Sequence, residues 1–302
     1  MPKFEIVMIG NTAVGKTSML SVLSRELKKF NKAGKLQLKP TSSEFDILDD
    51  KWNNLLKEIE QSDEFLPVHA HLGATADFIE HPFEFRVDGE KKCDVVFVDS
   101  PGSFTKRRDE ELVDRVNNAF GVFCVVDASV MMACSESKNN ELNRPAAIEE
   151  ILNTVFTDGD EKQPRFVSFI LTKCEKWMTS GKGRKELAKK FHSCFDQTLL
   201  MLNDADNPPN IDMLAIQTMG CVEFSELDEN DEPVFVVVEK SLKPKDCAYP
   251  LVLLLRNIVE AMSEKVSFWG RLLILLGIRK DLRDYLEVLD ENVAEPQIHE
   301  EF

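Results

Sequence analysis

Several absences bound this sequence before any motif does. Its seven cysteines (93, 124, 134, 174, 194, 221 and 247) are an odd number with no C-x-x-C pair. That is the usage of a reducing compartment and predicts a cytosolic protein, with Cys93 and Cys124 as small buried hydrophobes beside apolar runs. No apolar run reaches the roughly 18 residues that span a bilayer, and the opening "MPKFEIVMIG" lacks a basic-then-apolar signal architecture. Positive charge is in deficit: 37 Lys and Arg face 53 Asp and Glu, a net charge of −16. A phosphate backbone demands a basic face, so nucleic acid is excluded as the main partner. Glycine and proline are scarce at 13 each, and no internal repeat is visible. What remains is an ordinary globular composition, 43% hydrophobic and 30% charged over 302 residues, enough for one large domain or two small ones.

The first segment with chemistry in it is "KFEIVMIG" (3–10), which alternates and then turns wholly apolar, as a strand buried on both faces does. It runs into "GNTAVGKT" (10–17), a match to G-x-x-x-x-G-K-[ST]. A helical stripe of Met19, Leu20, Leu23 and Leu27 follows at once. In that setting Gly10 and Gly15 let the chain bend so that amides from Asn11, Thr12, Ala13, Val14 and Ser18 can face a phosphate at a helix N-terminus. Lys16 would reach the β- and γ-phosphates, and the Thr17 hydroxyl would ligate Mg²⁺.

Further along, "KKCDVVFVDSPG" (91–102) is a strand ending in Asp99 and followed by Gly102. The strand "HPFEFRV" (81–87) joins it through "DGE" (88–90), a hairpin turn signal. Apolar runs at 121–129, 165–175 and 211–220 alternate with helical stretches at 108–118, 145–156 and 184–202. Such alternation predicts a doubly wound sheet with its ligand site at the carboxyl ends of the strands, where each of these motifs falls.

These residues, in this order, resemble the Ras-like (TRAFAC-class) P-loop GTPases over about residues 3–220. The resemblance implies an α/β fold with a Ras-like, mostly parallel six-stranded sheet and helices on both faces. To it are added a helical insertion before switch I and a C-terminal hairpin and helix extension. It implies a GTPase domain over 1–265 with insertions at about 32–70 and 221–247, then a helical extension and acidic tail over 266–302. It implies GTP or GDP as ligand, with Mg²⁺ held by Thr17, Asp99 and the switch I threonine Thr75. Lys16 and Thr75 take the catalytic positions, and the Gly102 amide contacts the γ-phosphate. "TKCE" supplies Thr172, Lys173 and Glu175 as guanine contacts, and "QTMG" adds Thr218 by position alone.

The sequence departs from the family in three places. Glu175 stands where an aspartate is usual, Ser103 where many members carry the water-orienting glutamine, and Ala13 where potassium-dependent members carry asparagine. Thr105, Arg107, Arg108, His69 and His71 are the candidates to replace that glutamine. A partner could also supply it, as an arginine finger does in trans. The expectation is a nucleotide-dependent switch with slow GTP hydrolysis and an activating or effector protein. A nucleotide-binding scaffold with little hydrolysis is the alternative, and a P-loop ATPase or kinase a third.

Four other segments carry expectations. The basic clusters at 28–39 and 182–190 read as solvated helix faces. "FDILDDKWNNLLKEIEQ" (45–61) puts Leu48, Trp52, Leu55, Leu56 and Ile59 on one helical stripe, suited to packing on the domain. Residues 221–240 read as two strands around an acidic turn, and 249–265 as the last helix of the domain. The apolar run 266–278 is too short for a span and suits core or groove packing, with peripheral membrane contact as the alternative.

Overall fold

The computed structural model describes residues 1–33, 36–61, 65–66, 76–157 and 163–263. In chain order it opens with β1 (Lys3–Ile9), α1 (Lys16–Ala33), β2 (Leu36–Pro40), α2 (Ser42–Gln61) and β3 (Phe65–Leu66). There follow β4 (Ile79–Val87), β5 (Glu90–Asp99), α3 (Gly102–Arg107), α4 (Glu110–Asn118), β6 (Gly121–Asp127), α5 (Ala128–Ala133), α6 (Glu136–Leu142) and α7 (Pro145–Thr157). The described chain closes with β7 (Phe166–Thr172), α8 (Glu175–Met178), α9 (Gly181–Asn203), β8 (Asn210–Ala215), β9 (Val222–Leu227), β10 (Pro233–Val237) and α10 (Tyr249–Ser263).

Seven strands form the main sheet in the order β2-β4-β5-β1-β6-β7-β8. From β5 to β8 all neighbours run parallel, whereas β2, β4 and β5 pair antiparallel. The run of apolar side chains in β1 explains its central place, since successive residues must face opposite sides of a sheet. Ile6 and Met8 join one core with Leu20, Leu23, Phe97, Leu254 and Ile258, beneath α1 and α10. Val7 and Ile9 join the other with Leu112, Ile151, Phe191 and Phe195, beneath α4, α7 and α9. Helices therefore cover both faces.

The expected six strands become seven. The extra one is β2, paired in register with β4 from Leu36↔Val87 to Pro40↔Phe83. It overturns the reading of 28–39 as one solvated helix face: α1 stops at Ala33, and in β2 Leu38 is fully buried while Lys39 is exposed. That alternation spans too few residues to stand out among the lysines around it. A second correction concerns 121–129. The strand ends at Asp127, whose carboxylate accepts a bond from the Val130 amide and so caps a new helix, α5.

The helix expected over 45–61 is α2, and its apolar stripe packs inward: Leu48, Leu55 and Ile59 are buried, with Trp52 against the same core as Leu48. Arg25 of α1 clamps it, with an ion pair to Asp49 at 2.7 Å and its guanidinium over the Trp52 ring. The two strands expected in 221–240 are β9 and β10, and they acquire a third partner, since Leu66 and Phe65 of β3 pair with Phe235 and Val236 of β10. The run 266–278 and the tail to 302 lie outside the described residues. Among the described residues, no helix is long and apolar enough to cross a membrane.

Candidate functional site

The loop between β1 and α1 is shaped by backbone that few residues tolerate. Gly10 has φ +146°, and a Cβ there would lie 2.5 Å from the Val125 carbonyl oxygen. Ala13 and Gly15 follow with φ 68° and 98°, so the turn curls back on itself before α1 begins at Lys16. Inside that curl the Lys16 ammonium is buried and donates to the Gly10 and Asn11 carbonyls at 2.7 and 3.1 Å. Burial lowers its pKa to about 8, against an opposing pull from Asp99. A buried cation poised over a loop of amides is held ready for an anion that restores its charge compensation.

Thr17, one residue on, donates its hydroxyl to Asp99 Oδ2 at 2.5 Å. Asp99 is fully buried at the end of β5, beside β1 in register with Met8. Two hard oxygen donors on adjacent strand and helix ends, one of them a buried carboxylate, suit a divalent cation such as Mg²⁺. The proposed metal residues Thr17 and Asp99 are thus brought together. The third, Thr75, lies outside the described residues, as do His69 and His71.

The segment after Asp99 folds onto the phosphate loop. Ser100 donates to the Met8 carbonyl at 2.6 Å. A Cβ on Gly102 would sit 2.1 Å from the Thr12 amide nitrogen, so only glycine lets the two loops touch. Thr105 is fully buried, and its hydroxyl meets the Gly10 amide and carbonyl at 3.3 Å. Arg107 pairs with Asp109, and Arg108 with Glu150 on α7. Ser103 is exposed. Thr105 therefore braces the loop, while the two arginines make surface ion pairs.

The β7–α8 corner is tied to the loops on either side of it. The Thr172 hydroxyl donates to the Val14 carbonyl at 2.5 Å and lies 3.3 Å from the Val126 carbonyl, which makes it a pin between the phosphate loop and the sheet. Lys173, with φ 53°, donates to Asp127 Oδ2 at 2.6 Å and stands over the Phe235 ring. Glu175 is buried, and its Oε1 accepts from the Met219 and Gly220 amides at 3.4 and 3.3 Å. Burial raises its pKa to about 7, and those amides hold it below what burial alone would produce. Thr218 is buried in the same loop; Asn11, Thr12 and Ser18 stay partly or fully open to solvent.

Asp127 joins this corner without having been singled out in the sequence. One carboxylate oxygen takes Lys173, and the other takes the Ser129 hydroxyl at 2.5 Å and the Val130 amide. Asn143 fixes its backbone from both sides, at 2.9 Å each. Asn11 of the phosphate loop reaches the same layer, donating to the Leu142 carbonyl at 2.8 Å. The available signal was an aspartate at the end of an apolar run, "VVDAS", at the carboxyl ends of the strands where the other motifs cluster.

No family profile matches the sequence, and no curated protein matches it significantly. Among solved structures, the S. cerevisiae Ski7 GTPase-like domain bound to GDP and inorganic phosphate is similar at 14% identity and a TM-score of 0.42, over 70% of this chain and 43% of that one. The same domain bound to GTP gives 12% identity and a TM-score of 0.39, over 70% and 42%. This chain spans less than half the length of those neighbours. Likeness at that level does not bear on what this chain binds, which must be argued from its own site.

Proposed function

We propose that this chain is a GTP-binding protein that uses bound nucleotide as a switch and hydrolyses it slowly. One observation carries the reading: the buried Lys16 ammonium of the curled Gly10–Thr17 loop and the Thr17–Asp99 pair, which ties that loop to the end of β5, lie at the strand ends where a phosphate chain and its metal would be held. Lys16 and the loop amides bind and orient the phosphates, and Gly102 lets the following segment rest on the loop, where its position can depend on the terminal phosphate. Bound Mg²⁺ would be held by Thr17 and Asp99 and would offset phosphate charge. Lys173 and Glu175 would form the base side, next to the Gly220 loop that Glu175 Oε1 already engages.

Isothermal titration with GTP, ATP and XTP tests this directly. GTP is expected to bind tightest with Mg²⁺ present, and Lys16→Ala to abolish the heat for all three. Tighter binding of ATP would overturn the guanine assignment.

The exposed Ser103 and the loop-bracing Thr105 favour one second reading, a nucleotide-bound scaffold with little turnover. Single-turnover phosphate release with and without cell extract separates the two, since only the switch reading requires release under at least one condition.

A further inference from the structure

Lys173 sits in a conformation that a lysine keeps only when its surroundings hold it there. Its φ of 53° lies in the left-handed region, where a Cβ crowds the backbone. Two groups from other parts of the chain fix its side chain. Asp127, at the end of β6, takes the ammonium at 2.6 Å, and the centre of the Phe235 ring on β10 lies 5.6 Å from that ammonium. Phe235 is itself firmly placed. Its strand pairs with β9 on one side and β3 on the other, and the ring is buried with Ile59, Cys221 and Val222.

The hairpin of β9 and β10 is tied to the same neighbourhood at two further points. Phe224 of β9 has the Lys176 ammonium over its ring at 4.6 Å and lies against Trp177 at 5.6 Å, both residues of α8. At the turn of the hairpin, Asp231 accepts from the Ser135 hydroxyl at 2.6 Å, and Glu232 pairs with Lys138 of α6 at 3.1 Å. The place of this corner in the sheet says which end of a ligand it meets. Thr172, next to Lys173, bonds to the phosphate loop at Val14. Asp99 ends β5 on one side of β1, whereas Asp127 and Lys173 lie at the ends of β6 and β7 on the other. A nucleotide with its phosphates on the loop after β1 and its metal beside Asp99 has its base on the Lys173 side.

We infer that the β9–β10 hairpin is part of the nucleotide site, with Phe235 a positioning residue that holds the Lys173 ammonium against Asp127 at the base end. The inference rests on the nucleotide-binding reading above. A side chain that is already fixed loses less freedom on binding than a mobile one, so the ring adds to affinity without touching the ligand.

The test is a double-mutant cycle in the full chain, read by isothermal titration with GTP and Mg²⁺. Phe235→Leu keeps an apolar side chain in the small core and removes the ring. A ring–ammonium contact is worth on the order of fivefold in an equilibrium constant, so GTP is expected to bind about fivefold more weakly. Phe235→Tyr, which keeps the ring face, is expected to stay within about twofold of wild type. In a Lys173→Met background the Phe235→Leu change should add less than about twofold, because the group it positions is gone. Thermal melts check that each variant folds, and Phe235→Met takes the place of Phe235→Leu in the cycle if the leucine chain does not. No loss in Phe235→Leu, an equal loss in both backgrounds, or no recovery by Phe235→Tyr would each overturn the inference. A wild-type chain that does not bind GTP at all would instead sink the nucleotide reading itself.

Discussion

Glu175 carries one methylene more than the aspartate its position implies, and the structure shows where the extra reach goes. It takes Oε1 into the loop at Met219 and Gly220, out of water, so the group ionises only near pH 7. The unfolded chain ionises it near the ordinary glutamate value of 4.5. Between those values the folded protein holds the extra proton, so stability falls as pH rises from 4.5 to 7 and the loss is complete above 7. Glu175→Gln removes that dependence. Urea denaturation at pH 8 should find the variant more stable by about 3 kcal/mol, and near pH 4.5 the two should agree. A difference that did not change with pH would show that the carboxylate is not buried as described. At this scale the residues proposed to hold phosphate were legible because Gly10, Lys16, Thr17 and Asp99 sit in short motifs whose chemistry fixes their spacing. Asp127 was not, because an aspartate after a strand is also the ordinary start of a helix, and here it serves both uses.

The elements that carry the site were legible where periodicity was long and lost where it was short. The stripe of α2 and the length of α9 could be read directly, since three or more turns of apolar spacing outweigh noise. The strand β2 and the helices α5 and α6 span five to seven residues each, and local capping decides them: Ser135 accepts from the Lys138 amide as Asp127 does from Val130. How α2 is held could not be read at all, because Glu44 and His81 meet across 37 residues. Both are buried, so replacing either one strands the other without a partner. His81→Phe is expected to cost about 3 kcal/mol, because it leaves the Glu44 carboxylate desolvated and unpaired. The double variant His81→Phe/Glu44→Leu should recover most of that loss, since the pair then becomes an apolar contact of similar bulk. Additive losses in this double-mutant cycle would mean that the two side chains do not act as a pair.

Across the whole molecule the candidate site is drawn from distant parts of the chain: the loop after β1, the end of β5, the corner after β7 and the loop after β8. The small sheet adds a further tie, because β3 from the first insertion pairs with β10 from the second, and Ile59 of α2 packs with Cys221, Val222 and Phe235. A two-residue strand has no periodicity, and a pairing about 170 residues apart leaves no local trace, so this link between the insertions was invisible in the sequence. One ligand that joins all of these loops stabilises the folded chain as a unit, by mass action on the native state alone. At a hundredfold excess over Kd that contribution is about 2.7 kcal/mol, which for a chain of this size raises the melting temperature by roughly 5 °C. GTP with Mg²⁺ is expected to produce such a shift, ATP to produce little, and Lys16→Ala to remove it. The comparison is made by calorimetry at matched nucleotide excess. Equal shifts with GTP and ATP would mean that the Lys173–Glu175 corner does not read the base. No shift with either would mean that the curled loop after β1 does not hold a phosphate chain.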